Sequence, residues 1–388
     1  SVLVGMADTV MVSSVGEAAI SGVSLVDMIN QLIITVFAAL ATGGAVVTSQ
    51  YLGAKKPEQA ARSAGQLVGL SALLGLAVAA FCLLTRRPML RLLFGAITDD
   101  VMDAAVIYFT ITALSFPFLA LYNAGAAIFR STSNSAVSMK VSVIVNAINF
   151  GGNAICIYLL GMGVEGVAIP TVISQCVSAG LVLLCLVKAH APYHVDLHAL
   201  RLKKDKLLGM VKIGLPAGIQ GCSFSISNVL IQSSINSFGA LAMAGNTAAS
   251  NIEGFVSTAQ DAFSQAALSF TGQNVGAGQT KRVNRILPLC AALVLGVGLA
   301  LGSGAYLLGN QLLSIYSSDP EVIAFGMKRM AICCVLQCVG GLMGVMVGTL
   351  RGMGYSFVPM AITIGFVCGF RVIWIFTIFV QWHTLESL

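Results

Sequence analysis

Long apolar runs alternate with short polar connectors along the whole chain. Eleven runs can be traced, at residues 1–15, 18–52, 60–84, 104–129, 136–160, 164–187, 213–238, 242–275, 286–313, 322–350 and 357–380. Most are long enough to cross a bilayer as a helix, which needs about 20 apolar residues. The runs lack the two-residue alternation of a barrel strand. Because lipid offers backbone groups no hydrogen bonds, the pattern predicts an all-α polytopic membrane protein.

The composition supports lipid as the main solvent. The chain is 57% hydrophobic and 9% charged, whereas soluble domains carry about 25% charged residues. Its ten cysteines lie mostly inside the apolar runs, where we expect them to pack as small hydrophobic side chains. We predict no metal site. The net charge of +6 comes from short basic loops, so it does not indicate a nucleic-acid partner.

The chain repeats itself. The stretch 49–56 recurs as 272–279, at an offset of 223 residues, and 129–132 recurs as 350–353, at an offset of 221. The same connector follows an even number of spans in each half, which predicts parallel topology. We therefore expect two six-helix bundles, with about 11 helices present, the first one partial and the twelfth missing. The predicted division is an N-terminal lobe (1–190), a basic linker (191–212) and a C-terminal lobe (213–388).

The basic residues favour one side of the membrane. Connectors on that side hold 15 of the 21 Lys and Arg residues, whereas the opposite connectors hold eight of the 15 acidic residues. Because basic loops stay in the cytoplasm, we expect a multi-pass protein of the inner (plasma) membrane. Its N-terminus and its basic loops would be cytoplasmic.

Seven motifs resemble the multidrug and toxic compound extrusion (MATE) transporters. They occur in family order across essentially the whole chain: GMADTVMVSSVG, TSQYLGAKKPEQAAR, FRSTSNS, NAINFGGN, GLPAGIQ, SFTGQNVGAGQTKRV and LRGMGYSFVPM. The resemblance implies two six-helix lobes around a central cavity. It also implies an antiporter that expels amphipathic, often cationic, compounds against inward H⁺ or Na⁺ flow, with no cofactor beyond the coupling ion.

Asp8 is the first candidate for ion coupling. It lies in the first run and matches the family's first-helix Asp. A carboxylate inside a span is costly and tends to mark an ion pathway. Its single negative charge would be shared in turn by a proton or Na⁺ and by the drug. The alternative is that Asp8 only forms hydrogen bonds within the local packing.

Three amides follow one face of the fifth run: Asn146, Asn149 and Asn153. The resemblance places them in an ion-binding stripe, which Thr171 and Gln175 of the sixth run would complete. Relatives often carry an acid at the position of Asn153, and some also carry one within the sixth helix; this chain has neither, so the resemblance does not extend to a site with two carboxylates. The stripe could equally be interhelical hydrogen bonding, worth about 0.6 kcal/mol per contact in a membrane.

Four further polar residues are candidates for the substrate cavity. Glu253 and Asp261 lie eight residues apart in the eighth run, on roughly one helical face. They predict either a cation or proton site or the polar mouth of a wide cavity. Asp27 and Asn30 lie one turn apart at the related place of the first half, where Asn30 matches Glu253 at the 223 offset.

These features predict an ion-coupled exporter that works by alternating access between its lobes. Its partners would be small amphipathic molecules and the bilayer, and we expect a monomer. The alternative is a flippase for lipid-linked saccharides, which shares a similar fold but usually carries more basic residues in its cavity. An intramembrane enzyme is disfavoured, because no HExxH, GxSxG or paired-aspartate motif is present.

Overall fold

The computed structural model describes residues 17–95, 98–189, 204–236, 238–379 and 381. The regular secondary structure of these residues is entirely helical, and they contain no strand. Its helices are α1 (Glu17–Gly53), α2 (Pro57–Phe94), α3 (Asp99–Ala113), α4 (Phe116–Ser131), α5 (Ser135–Ala154), α6 (Glu165–Lys188), α7 (Lys204–Asn236), α8 (Ala240–Gly276), α9 (Thr280–Leu307), α10 (Gly309–Ser314), α11 (Pro320–Gly352), α12 (Phe357–Ile362) and α13 (Gly369–Trp374). Turns of π-helix extend α5 over Ile155–Leu159, join α12 to α13 over Thr363–Cys368 and follow α13 over Ile375–Phe379.

Length and apolarity confirm a polytopic membrane protein. In the part of the chain that the structure describes, seven helical segments are long and apolar enough to cross a membrane. The number rises to nine if two bent pairs each count as one span. One pair is α3 with α4, bent by 48°, and the other is α11, bent by 44° beside residue 335. The two bends lie at matching positions of the repeat.

The chain forms two compact units, Ser1–Gly218 and Ile219–Leu388. The border falls inside α7. In the first unit, a core between α1, α3 and α4 includes the fully buried rings of Phe37, Phe109 and Phe116. In the second unit, α8 and α11 bury small side chains such as Ala249 and Cys334 against each other. The predicted three-part division of the chain stays a prediction, because most of the linker lies outside the described residues.

The internal repeat recurs in helix packing. A Cβ added at Gly22 of α1 would lie 2.9 Å from the backbone nitrogen of Ala105 in α3. At the matching place of the second unit, a Cβ at Gly245 of α8 would lie 2.5 Å from the carbonyl oxygen of Val322 in α11. Small residues are typical where membrane helices approach closely. In each unit, therefore, the second span packs closely against the fourth span at a glycine.

The basic loops also share their backbone geometry. Lys56 donates its N–H to Tyr51 and Lys55 donates to Leu52, which closes α1 with a left-handed residue at Lys55 (φ 55°). The matching loop has the same two hydrogen bonds, with Gly278 (φ 69°) at the left-handed position. This helix ending favours glycine at that position. The first copy thus keeps the geometry despite carrying a lysine.

The start of α7 packs on the first basic loop. Lys206 is 7% exposed, although its stretch reads as a solvated linker in the sequence. Its ammonium donates to the carbonyl oxygen of Gln59 at 2.9 Å and lies 4.8 Å from the centre of the Tyr51 ring. A long apolar stem with a charged tip suits such a position. Residues 204–212 are therefore the first turns of a packed helix.

Candidate functional site

The amide stripe of α5 contacts α6 in the first unit. Asn149 donates its side-chain N–H to the hydroxyl of Thr171 at 3.0 Å, and Asn153 donates to the carbonyl oxygen of Asn149 at 3.4 Å. Asn149 and Asn153 are both buried. A Cβ at Gly152 would meet the Pro170 ring at 2.7 Å, so the two helices are in close contact beside the polar pair. The structure therefore brings Asn149, Asn153 and Thr171 together between the fifth and sixth spans.

Two members of the predicted stripe stand apart from these hydrogen bonds. Asn146 is half-buried, one turn before Asn149 on α5. Gln175 is half-buried too, and its side-chain oxygen accepts from Ser178 of its own helix at 3.4 Å. Asp8, the predicted carboxylate of this stripe, lies outside the described residues. Its position relative to Asn149 stays a prediction.

A second polar cluster, which we call the Asp27 cluster, joins α1 to α3. One carboxylate oxygen of Asp27 accepts from the amide of Asn30 at 3.3 Å and from the hydroxyl of Tyr108 at 3.2 Å. Tyr108 is 5% exposed, whereas Asp27 is exposed. The carbonyl oxygen of Asn30 is buried and has no hydrogen-bond partner among the described residues. The cluster thus combines one formal negative charge with an unsatisfied acceptor.

The Glu253 cluster occupies the related place in the second unit. Arg329 of α11 donates through Nε and Nη2 to the two carboxylate oxygens of Glu253 on α8, each at 2.8 Å. Its third nitrogen, Nη1, donates to the side-chain oxygen of Asn246. The side chains of Arg329 and Glu253 are 25% and 12% exposed. Such bidentate Arg–carboxylate pairs are among the strongest hydrogen-bonded contacts in proteins.

Further amides surround this ion pair. Asn246 donates to the side-chain oxygen of Gln232 on α7 at 3.0 Å. On the other side, Gln337 of α11 donates to the hydroxyl of Ser257 on α8 at 2.6 Å. The side chains of Asn246, Glu253 and Ser257 on α8 are therefore turned toward the neighbouring helices α7 and α11.

Asp261 does not share the environment of Glu253. The sequence predicted both acids on roughly one face of the eighth run. Asp261 is exposed, whereas Glu253 is buried in the ion pair with Arg329. The burial of the two acids thus differs although their helical spacing suggested a common place.

Sequence reasoning missed Arg329 and Tyr108. The sequence does carry a signal for Arg329, because a basic residue inside an apolar run needs a polar partner. A stronger signal is the repeat, because Tyr108 and Arg329 are related by the 221 offset of the fourth and tenth runs. Since Asn30 and Glu253 are related by 223, both clusters join the same two spans of the repeat.

Two other arginines of the second unit have partners that the sequence could not name. Arg371 donates to the side-chain oxygen of Asn228 at 2.8 Å and lies 4.8 Å from the centre of the Phe224 ring. Arg351 donates to the side-chain oxygen of Gln220 at 2.6 Å. The Arg371 contact joins α13 to α7, and the Arg351 contact joins the end of α11 to α7, both within the second unit.

Comparison with known proteins shows the family. The MatE family model matches residues 1–155 and 216–376, which is most of the chain. The chain belongs to the MatE family. The resemblance expected from the seven motifs is therefore confirmed, and it covers both repeats of this MatE chain.

Known MatE relatives are similar along most of their length. The chain is 26% identical to the uncharacterized transporter YisQ of Bacillus subtilis, with 92% of this chain and 79% of YisQ covered. It is 24% identical to the probable multidrug resistance protein NorM of Thermotoga maritima, with 93% of this chain and 78% of that protein covered. A solved outward-facing multidrug resistance MATE family transporter of the MOP superfamily matches with a TM-score of 0.90 and 22% identity, over 97% of this chain and 85% of that one. The two-bundle helical membrane fold is thus confirmed.

Proposed function

We propose that this MatE protein is a secondary active antiporter of the inner (plasma) membrane that exports amphipathic or cationic drugs in exchange for H⁺ or Na⁺. The observation that carries the proposal is the hydrogen-bonded group of Asn149, Asn153 and Thr171 between α5 and α6. Family membership supports transport rather than catalysis. The multidrug-resistance name of the Thermotoga maritima relative supports drugs as the substrate class.

The amide stripe suits one monovalent cation. Amide and hydroxyl oxygens are hard neutral ligands, the type that alkali cations prefer over thiols or imidazoles. In this proposal Asp8 supplies the only negative charge of the site, and Asn146, Asn149 and Asn153 supply neutral groups. With one carboxylate, the site is neutralised by one proton or one Na⁺. Drug and coupling ion then compete for the same charge, and access alternates between the two sides of the membrane.

The arginines of the second unit favour drug export over a flippase. A flippase would need basic side chains that are available to a phosphate-linked substrate. Arg329, Arg351 and Arg371 are instead held by Glu253, Gln220 and Asn228. The charge of Arg329 is paired with a carboxylate, and Arg351 and Arg371 donate to amide oxygens, so part of the hydrogen-bonding capacity of each arginine is used in contacts between helices.

The orientation and working state belong to the same proposal. The loops that carry Lys55 and Lys281 are cytoplasmic, because basic connectors are retained on that side. The protein works as a monomer in the bilayer, with the coupling ion as its only non-protein component.

The proposal is tested by coupled transport in sealed vesicles. Efflux of a cationic dye is driven in turn by an imposed pH gradient and by an imposed Na⁺ gradient, which identifies the coupling ion. We expect Asp8→Asn to abolish ion-driven efflux. We expect Asn149→Ala to raise the half-saturating ion concentration roughly fivefold, because the loss of a site contact worth about 1 kcal/mol corresponds to a factor of about five.

The matched control is Asn123→Ala in α4. The Asn123 amide donates to the backbone oxygen of Leu119 within its own helix, at 2.9 Å. Its removal should leave ion coupling unchanged. Unchanged coupled efflux in Asp8→Asn, with both proteins present in the membrane at equal amounts, would contradict the assigned role of Asp8.

A further inference from the structure

The two polar clusters occupy related places but differ in charge. Each cluster joins the second span of its half to the fourth, through Asn30 and Tyr108 in the first unit and through Glu253 and Arg329 in the second. The Glu253 cluster combines one carboxylate with one guanidinium, so its formal charge is zero. The Asp27 cluster combines one carboxylate with an amide and a phenol, so its formal charge is minus one.

The acceptor groups of the two clusters are satisfied to different extents. Arg329 donates to both carboxylate oxygens of Glu253 and to the side-chain oxygen of Asn246. In the first unit, one carboxylate oxygen of Asp27 accepts two hydrogen bonds from neutral donors. The buried carbonyl oxygen of Asn30 has no partner among the described residues. Leaving a buried acceptor unsatisfied is unfavourable, so this place favours a ligand with hydrogen-bond donors and positive charge.

We infer that Asp27, Asn30 and Tyr108 form a binding site for the ammonium or guanidinium group of an organic cation, and that Arg329 supplies the same chemistry as a tethered group in the second unit. The inference rests on the proposed export function, because it assigns the cationic substrate class to a place in the first unit.

The side chains of the Asp27 cluster suit an organic cation better than an inorganic one. The Asp27 carboxylate offers charge and the Asn30 carbonyl offers a hydrogen-bond acceptor. The Tyr108 ring is buried in the core of the first unit, and its hydroxyl holds the carboxylate in place through a neutral hydrogen bond that leaves the negative charge unpaired. Na⁺ would need several oxygen ligands in a compact shell. In the second unit, a planar guanidinium occupies the matching region of the repeat, where Arg329 contacts the carboxylate of Glu253 and the side-chain oxygen of Asn246.

Binding is measured with the purified full chain in lipid nanodiscs. Methylguanidinium chloride is the probe, NaCl at equal ionic strength is the comparison, and the midpoint of thermal unfolding is the readout. We expect methylguanidinium to raise the midpoint in the wild type, on the order of 3 °C at saturating concentration. Asp27→Asn should lose most of this shift. Tyr108→Arg should lose it as well, because the new side chain would be a tethered cation like that of Arg329.

Transport provides a second readout that a purely structural role would not move. In vesicles, we expect Asp27→Asn to raise the KM for the cationic dye ethidium roughly tenfold with little change in kcat. The tenfold change corresponds to about 1.4 kcal/mol, the free energy of the one charge contact that the variant loses. The matched control is Asp103→Asn, which removes a 64% exposed carboxylate from α3, the helix of Tyr108. The control should keep both the thermal shift and the KM.

Three results would overturn the inference. The first is a methylguanidinium shift in Asp27→Asn that equals the wild-type shift. The second is a shift that depends on Asp27 with NaCl but not with methylguanidinium, which would make the cluster an inorganic-ion site. The third is an unchanged ethidium KM in Asp27→Asn. If Tyr108→Arg does not fold, Asp27→Asn and the milder Tyr108→Phe decide the outcome.

The binding experiment is independent of the coupling ion. If Asp8→Asn keeps coupled efflux but the Asp27-dependent methylguanidinium shift is present, the proposed coupling site fails and the cation site stands. If Asp8→Asn loses coupled efflux but no Asp27-dependent shift is found, the coupling site stands and the cation site fails.

Discussion

In the first unit, Asp27 of α1 faces Tyr108 of α3, whereas in the second unit Glu253 of α8 faces Arg329 of α11. The helices of the two pairs are related by the repeat, and each pair is packed at a glycine, Gly22 or Gly245. The two units thus share the backbone packing. The helices of the first unit are joined by a hydrogen-bonded carboxylate, whereas those of the second unit are joined by a buried ion pair.

The two copies keep the residues that pack their helices and differ in the polar side chains beside them. Helix packing at small residues depends on backbone approach, so both copies must keep it. The polar side chains that project beside the glycine are less constrained. One copy can therefore hold its helices with an ion pair, while the other joins them through a carboxylate, an amide and a phenol.

The largest effect should come from breaking the ion pair. Arg329→Ala leaves the Glu253 carboxylate buried without its cation, which destabilises a protein by about 3–5 kcal/mol. Thermal or denaturant unfolding in nanodiscs measures the loss. We expect methylguanidinium to restore part of it, because the small cation fits the space that the arginine side chain vacates.

The exposed pair of Arg87 and Asp103 is the matched control for this change. Its atoms lie 3.1 Å apart and its side chains are 63% and 64% exposed, so Asp103→Asn should cost less than about 1 kcal/mol. The double variant Glu253→Gln/Arg329→Met should recover most of the stability. A loss in Arg329→Ala no larger than in Asp103→Asn would show that the buried pair does not hold α8 to α11.

An intermediate effect should come from the shared glycine contacts. A methyl group at Gly245 would meet the Val322 carbonyl oxygen at 2.5 Å, and one at Gly22 would meet the Ala105 nitrogen at 2.9 Å. We expect Gly245→Ala and Gly22→Ala to cost about 1–3 kcal/mol each in unfolding free energy, since the facing atoms belong to the backbone. The repeat predicts costs of similar size in the two units.

Gly296 of α9 provides the control for this pair. A Cβ at Gly296 has no atom within 4 Å, so Gly296→Ala should be neutral or stabilising by up to about 1 kcal/mol. If alanine were tolerated at only one of Gly22 and Gly245, the prediction that the repeat gives the two units equally close helix contacts would be wrong.

The smallest effect should come from Tyr108→Phe. The change removes one hydrogen bond to Asp27 and keeps the buried ring, so the expected loss is about 1 kcal/mol in unfolding free energy. The control is Tyr158→Phe, because Tyr158 is 61% exposed. Equal unfolding midpoints for the two variants would argue that the Tyr108 hydroxyl does not stabilise the contact between α1 and α3.

Local patterns predicted most of the helices but not where all of them end. The third run was predicted to end at residue 84, yet α2 continues through Pro88 to Phe94. The last turns of α2 are amphipathic, so the helix extends beyond the apolar run. The ninth run was predicted to reach residue 313, but the helix breaks at Leu308 between α9 and α10. Apolar content alone does not report such breaks, since both sides of the break remain apolar.

The candidate site was partly predictable. The contact of Asn149 with Thr171 followed from two polar positions on adjacent spans that had to face inward. The partner of Glu253 did not follow, because Arg329 lies 76 residues away and the acid was matched instead with its helical neighbour Asp261. Tyr108 was overlooked because a tyrosine in an apolar run adds to hydrophobicity and gives no separate signal.

Composition, the length of the apolar runs and spacing along the chain were enough to indicate the lipid environment, the helical class, the repeat and the family. Which polar groups meet follows from the folded chain alone, since hydrogen bonds such as those of Asp27 with Tyr108 and of Glu253 with Arg329 join residues that are distant in sequence. Their directions are set by how two helices rotate and cross. The repeat predicts that the two places correspond, and the side chains that meet there make them chemically different.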